Sequence, residues 1–487
     1  MAAGALTPLA FAPFPFFPLA ILGPALLFVL WRRDGAARAA WRGFLFGLGQ
    51  FGVGVSWLYV ALHEFGNMPG PLAAFALLLF FAFLAAYPAA LGWVQARAFA
   101  RGRAVHAVLV LPGLWVLWEW VRGWFLTGFP WLHLGYSQID TPLAGFAPLL
   151  GVYGVSLAAV ASAGLAAEAW ARRRGAWPAP VAALALLWLG GWLAGRVDWV
   201  EPDGAPLRVA IVQGNVPLAE KWYPRYRQTI LNRYRELTLG LTEADLVVWP
   251  EAAVPAYRDE LEAGYLADLA GIAHARGMDI LLGVLEQASA DGRRVYYNSA
   301  LAVGGTGPAY RKHHLVPFGE YLPFKGLFGW LLATLDIPMS DFSAGPADQG
   351  PMRLAGRALG VSICYEFAFG EEIIRALPQA QVLVNISEDA WYGDSFAPHQ
   401  HQQMVRMRAR EAGRPLLRAT NTGVSALIDH RGRVTARAPQ FEVAVLTGTV
   451  QPMRGATPYV RAGNYAAIAL AALGAALGLW LGRSRRA

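Results

Sequence analysis

Leu-Gly-Val-Ser-Ile-Cys-Tyr-Glu (359–366) holds the only cysteine of the 487-residue chain, Cys364. Five apolar or small residues, Leu359 to Ile363, run into it like a buried strand, and the thiol falls where that strand would end. A lone cysteine forms no intramolecular disulfide, and one thiol is a poor metal site. Three readings stand at this point: inert core filler, intermolecular pairing, or a nucleophile.

Outward from Cys364, from Leu207 to about residue 455, short apolar runs alternate with polar helical patterns. Strands are predicted over 207–212, 246–249, 280–284, 299–303, 359–363, 382–386, 416–420 and 425–428, and helices over 226–241, 261–276 and 401–413. About 250 residues of this kind make one α/β domain with a sizeable core. Polar residues gather at its strand ends. Glu251 follows Leu-Val-Val-Trp-Pro, and Lys312 lies in Tyr-Arg-Lys-His-His-Leu-Val-Pro-Phe-Gly-Glu. A carboxylate, an amine and a thiol at three such positions can converge at one sheet edge. Taken singly, Glu251 reads equally as a surface residue or a helix cap, and Lys312 as a solvated loop charge.

The rest of the chain has a different composition. Overall, 56% of residues are hydrophobic and 15% charged, with mean hydropathy +0.35. A soluble domain is usually about 25% charged. Charge-free runs at 43–62, 71–96, 104–118, 143–167, 177–195 and 465–482 approach or exceed the roughly 20 residues that cross a bilayer. The 16–31 run is shorter and carries Pro18 and Pro24, and it is read as a further span. Residues 2–12 make half a span and are read as the remnant of an expected first helix whose start would lie upstream of Met1. With no basic start, no cleavable signal peptide is expected. The expected organisation is a transmembrane helical bundle over 1–195, a catalytic domain over 205–455, and a C-terminal transmembrane helix with a basic tail over 463–487.

The net charge of +8 does not point to nucleic acid, because the arginines cluster between apolar runs. Arg32, Arg33, Arg38 and Arg42 form one cluster, Arg97, Arg101 and Arg103 another, Arg172 to Arg174 a third, and Arg483, Arg485 and Arg486 the last. The alternate loops are poor in positive charge. The positive-inside rule makes these clusters and the C-terminus cytoplasmic and the domain after Arg196 external; in a bacterium with two membranes that is the periplasm. Glu119 and Arg122, near the outer end of a span, have the spacing of a helical ion pair. Six runs lack Asp, Glu, Lys and Arg entirely, which argues against a transporter carrying an external binding domain.

The domain around Cys364 resembles the nitrilase superfamily, which uses a Glu-Lys-Cys triad on an α-β-β-α sandwich. Nearly end to end, the chain resembles the apolipoprotein N-acyltransferase family, the membrane-bound branch of that superfamily. The resemblance is carried by Phe-Gly-Asn-Met-Pro-Gly (65–70), Leu-Thr-Gly-Phe-Pro-Trp-Leu (126–132), Gly-Tyr-Ser-Gln-Ile-Asp (135–140), Val-Gln-Gly-Asn-Val-Pro (212–217) and Trp-Pro-Glu (249–251). It continues through Lys-His-His-Leu-Val-Pro-Phe-Gly-Glu (312–320), Ile-Cys-Tyr-Glu (363–366), Asp-Ala-Trp-Tyr-Gly-Asp (389–394) and Arg-Pro-Leu-Leu-Arg-Ala-Thr-Asn (414–421). Two positions depart from the pattern: Glu388, where the family often has asparagine, and His399, where it often has an aromatic. The resemblance implies no role for either.

The resemblance implies catalysis by Glu251, Lys312 and Cys364. Glu251 is the implied general base. A thiol with a reference pKa of about 8.5 needs one to attack an ester at neutral pH, and burial near Glu320 and Glu366 is expected to strengthen the carboxylate as a base. Lys312, held by Glu320, and the backbone N–H of Tyr365 are the implied oxyanion stabilisers. The implied reaction moves a fatty acyl chain from a phospholipid, phosphatidylethanolamine being expected, through a Cys364 thioester. The acceptor is the α-amine of a diacylglyceryl-cysteine at an apolipoprotein N-terminus. No metal or organic cofactor is implied, and the sequential His313 and His314 do not make a zinc site. The greasy 324–335 stretch, with Phe328 and Trp330, is read as a lid dipping into the bilayer interface, against the alternative of core packing. Trp222 and Trp391 are read as substrate-binding residues by the same resemblance, with core packing as the alternative for Trp222. A membrane-tethered amidase or hydrolase using water as acceptor is the alternative that the triad alone leaves open.

Overall fold

A computed structural model describes residues 1–99, 104–290, 292–305, 307–323 and 341–483. The chain divides into a helical unit (Met1–Tyr59, Pro69–Asp198 and Thr457–Ala487) and a sheet-containing unit (Val60–Met68 and Trp199–Ala456).

In the helical unit the apolar runs become helices, but few are straight and long. Among the described residues two helices are long and apolar enough to cross a bilayer, Gly70–Ala98 and Pro142–Ala171. Leu19–Trp31, Pro178–Ala194 and Tyr465–Leu481 are shorter apolar helices. The 43–62 run is interrupted after Gly54, and the Ala147–Ala171 helix is kinked at Gly151, whose φ is +66°. Phe75, Leu78, Leu79 and Trp93 of Gly70–Ala98 are exposed, a face too apolar for water that suits lipid. Its other side packs along Ala36–Gly54. There a Cβ on Gly43 would lie 2.2 Å from the Pro88 carbonyl oxygen, and one on Gly47 would lie 2.7 Å from Ala85 Cα. Small residues at such crossings let backbones touch where no hydrophobic effect drives helices together.

Glu119 and Arg122 both hold the loop that follows them. Glu119 accepts from Leu134 N at 2.9 Å and Trp115 Nε1 at 3.1 Å, and Arg122 donates to the carbonyls of Phe129 and Trp131. The helical spacing hid this, because the partners lie up to fifteen residues away.

The second unit is the expected α/β sandwich. Its strands are β1 Val200–Pro202, β2 Leu207–Gln213, β3 Leu246–Val248, β4 Asp279–Ala290, β5 Arg293–Val303, β6 Tyr310–Arg311, β7 Met352–Leu354, β8 Arg357–Ile363, β9 Val382–Ser387, β10 Leu416–Thr420, β11 Ala426–Ile428, β12 Val434–Arg437, β13 Ala444–Val450 and β14 Met453–Gly455. One six-stranded sheet runs β13-β2-β3-β4-β5-β6, the other β12-β11-β10-β9-β8-β7, and β1 pairs with β14. The two sheets meet through β2 against β10 and β5 against β8. Helices Pro224–Leu239 and Ala267–Arg276 bury Ile230, Leu231, Tyr234, Leu269 and Ala273 against the first sheet. Helix Ala397–Ala412 begins four residues before its predicted start and ends at Gly413, whose φ of +63° terminates it. β4 and β5 form a hairpin longer than predicted, since its outer half is polar. There Glu286 is buried and is held by Arg258, Ser299 and Arg311.

Candidate active site

Three strand ends and one loop bring the expected residues together. β3 is buried along its whole length and leads into Trp249-Pro250-Glu251. Gly283 on β4 gives that turn room: its N–H donates to the Pro250 carbonyl at 3.2 Å, and a Cβ there would come 2.4 Å from the same oxygen. Glu251 is 5% exposed. Its Oε1 accepts from Asn298 Nδ2 at 2.6 Å, and its Oε2 from the Glu388 N–H at 2.7 Å.

Lys312 follows β6. Its N–H donates to the Asn298 carbonyl at 2.8 Å, so one β5 residue aligns Glu251 and Lys312 together. Its Nζ lies 2.8 Å from Glu320 Oε1 and 3.6 Å from Glu251 Oε1. Burial pulls the ammonium pKa down, but Glu320 and Glu251 outweigh it and hold Lys312 above its ordinary value. The charge is therefore fixed at any physiological pH. Glu320 also accepts from Val316 N at 2.8 Å, closing the loop over Lys312.

Cys364 ends β8 at a φ of +53°, a left-handed conformation unusual for a residue with a side chain. Asn385 on β9 donates to its carbonyl at 3.5 Å. The Glu366 carboxylate folds back to the Ile363 N–H at 2.7 Å and reaches the His313 N–H at 2.6 Å and the Tyr310 hydroxyl at 3.0 Å. It thereby ties the thiol's turn to the lysine's loop. Burial pushes Glu366 up to about 6. Burial, then Glu251, push the Cys364 thiol well above its ordinary value, and Lys312 opposes them. In this field the thiol is protonated at rest and needs a base, and the adjacent fixed cation suits an anion that forms only during reaction.

The buried ion pair of Arg418 and Asp389, 2.7 Å apart, underlies the β9 and β10 ends, with Ser387 donating to Asp389 at 2.9 Å. Tyr365 packs its ring on Phe369 and His314. Trp222 and Trp391 are half-buried. Trp222 lies 5.9 Å from Lys221 Nζ, and Trp391 meets Phe65 edge-on at 6.0 Å. His399 is also half-buried, its pKa lowered by burial and then by Arg437. Phe328, Trp330 and the rest of the expected lid lie outside the described residues.

Residues 3–165 match the apolipoprotein N-acyltransferase N-terminal domain, and residues 208–459 match the carbon-nitrogen hydrolases. Over 99% of its length the chain is 45% identical to an apolipoprotein N-acyltransferase of Methylococcus capsulatus, 95% of which is covered. It is 46% identical, also over 99%, to one of Nitrosomonas europaea, with 97% of that protein covered. The chain belongs to the apolipoprotein N-acyltransferase family. It is therefore a membrane-bound acyltransferase with a nitrilase-like domain. Among solved structures it is similar to a carbon-nitrogen hydrolase from Helicobacter pylori G27, at 17% identity and a TM-score of 0.38, covering 50% of this chain and 89% of that one.

Asn298 and Lys221 escaped the sequence reading, and Glu388 was singled out only as a departure from the family pattern, without a role. Asn298 bridges Glu251 and Lys312, and its sign was a lone amide inside the apolar end of β5. Lys221 and Glu388 form a buried ion pair of 2.5 Å beside Glu251, and nothing in their sequence separation of 167 residues announces it.

Proposed function

We propose that Cys364 carries the acyl chain as a thioester between a phospholipid donor and the N-terminal amine of an apolipoprotein. Glu251 takes the thiol proton, and the thiolate attacks the ester carbonyl carbon. The carbonyl π electrons move onto oxygen, facing Lys312 Nζ and the Tyr365 N–H. Collapse of that intermediate breaks the ester C–O bond. The departing glycerol oxygen takes the proton back from Glu251, and lysophospholipid leaves. A neutral α-amine then attacks the thioester and gives its proton to Glu251. The C–S bond breaks, the proton returns to sulfur, and the amide product leaves.

The observation that carries this reading is a fully buried lysine, 1% exposed, held between two carboxylates in the field of the lone thiol. Water is not favoured as acceptor, because the relatives over the whole chain are named N-acyltransferases. We further propose phosphatidylethanolamine as donor and residence in the inner membrane, with the catalytic domain in the periplasm and the C-terminus cytoplasmic. Arginine clustering supports this orientation.

Intact-protein mass spectrometry after mixing with phosphatidylethanolamine tests the proposal. A hydroxylamine-labile fatty-acyl adduct is expected on the wild type, discharged by a diacylated lipopeptide and missing from Cys364→Ala. Discharge by water alone, or normal activity in Cys364→Ala, would refute it.

A further inference from the structure

The proposed reaction gives no part to Lys221 and Glu388, yet both are almost completely buried, at 2% and 5% exposure. A buried charge pair is costly to desolvate and is weak evidence for stability alone. Its location is specific. Lys221 Nζ reaches Glu388 Oε2 at 2.5 Å and donates to the Glu251 carbonyl oxygen at 3.3 Å. The Glu388 backbone N–H is the donor to Glu251 Oε2. The Glu388 side chain is fixed by Asn421 Nδ2, 3.1 Å from Oε2, and by the Ala390 N–H, 3.2 Å from Oε1. Asn421 in turn holds Val216 through its carbonyl and its N–H. Thus one member of the pair grips the main chain of Glu251, and the other grips its carboxylate.

We infer that the Lys221–Glu388 pair is a positioning element for Glu251, fixing its carboxylate towards Cys364 while the two opposite charges cancel beside it. The inference rests on Glu251 being the base. Other ionisable groups facing this corner are Lys312, Glu320, Cys364, Tyr234, Asp389 and Tyr392. Tyr234 and Tyr392 are kept neutral, chiefly by burial. Asp389 stays ionised because Arg418 and His401 outweigh its burial. Burial raises Glu388 itself, and Lys221 opposes that rise. Lys221 Nζ and Glu388 Oε2 lie 2.5 Å apart, so each charge faces its opposite, and removing either half leaves its partner's charge acting on Glu251.

The test is kcat and KM against pH for the full-length enzyme in phospholipid–detergent micelles, with a diacylated lipopeptide as acceptor. Glu388→Gln leaves the Lys221 ammonium uncompensated, which favours the Glu251 carboxylate. The acid limb should move down by about one pH unit, with a lower kcat and little change in KM. Lys221→Met leaves the Glu388 carboxylate uncompensated, so the limb should move up by a similar amount. The double variant should return the limb to the wild-type position. Limbs that stay in place, or move in the same direction in both single variants, would overturn the inference. If a single variant does not fold, Lys221→Arg and Glu388→Asp keep the charges but displace them. A fall in kcat with the limb unmoved is then expected, and unchanged kcat would overturn the inference. Glu251→Gln distinguishes the two levels. An active Glu251→Gln removes the base and this inference together, whereas an inactive one with unmoved limbs in the pair variants removes only the inference.

Discussion

Two buried lysines flank Glu251, and they are held in opposite ways. Lys312 points its ammonium at the carboxylate oxygens and is secured by Glu320 only eight residues along the chain. Lys221 reaches the main-chain carbonyl of Glu251, and its carboxylate partner comes from the other sheet's strand end. In the proposed reaction the first acts on charge that develops at the thiol and its adduct, and in the inferred arrangement the second keeps Glu251 in place. On that reading equal burial does not mean equal function, because the two ammonium groups face different atoms.

The contrast is sharpest in substitution. Lys312→Met should lower kcat by about 10² to 10³-fold, the usual loss for one oxyanion donor, while Lys221→Met should cost about tenfold at the wild-type optimum. Equal losses would break the distinction. Lys312→Arg should also be badly impaired, since a planar fork does not replace a point charge in a fitted site.

A smaller effect is expected from Glu320→Gln, which leaves Lys312 to Glu251 alone. Single-turnover measurement of adduct formation should show a loss of about 10 to 10²-fold, with the thermal midpoint also lowered because a buried ammonium loses its nearest counter-charge. Wild-type rates would show that Glu320 does not position the lysine.

Glu366 marks a further difference, since only the Lys312 flank is tied to the cysteine turn by a group held near about 6. Its folded pKa lies above the ordinary 4.5, so the folded state binds the proton more tightly. That contribution is complete below about pH 4.5 and is lost as pH rises through 6. The size is about 2 kcal/mol. Thermal midpoints of wild type and Glu366→Gln across pH 4–7 should diverge over that window, and parallel curves would contradict this. At the bottom of the scale, the exposed Arg235–Asp268 pair should be nearly silent. Arg235→Ala is expected to shift the midpoint by no more than about 2 °C.

These two flanks also show what the sequence carries. Glu251 and Cys364 were legible because each follows an apolar run, and Lys312 because it opens the 312–320 motif that carries the family resemblance and ends on its partner Glu320. Lys221 was hidden because its salt bridge is purely tertiary, and Asn298 because an amide in a strand looks like any polar alternation. In the helical unit the apolar runs were plain from composition, but their continuity was not. The break after Gly54 and the kink at Gly151 depend on backbone turns that hydropathy does not record. Glu119 and Arg122 were read as a local pair because helical spacing shows neighbours on one helix and not a folded-back loop.

Glu251 and Lys312 leave strands of one sheet, and Cys364 and Glu388 leave strands of the other. The reacting atoms are therefore aligned only while the two sheets keep their registry, and turnover works as a gauge of that alignment. A slip of about 1 Å between the layers is enough to cost some 10²-fold in rate, far less movement than unfolding requires. Mild heat, hydrostatic pressure or detergents that loosen the inter-sheet packing should silence the enzyme while its secondary structure is still intact.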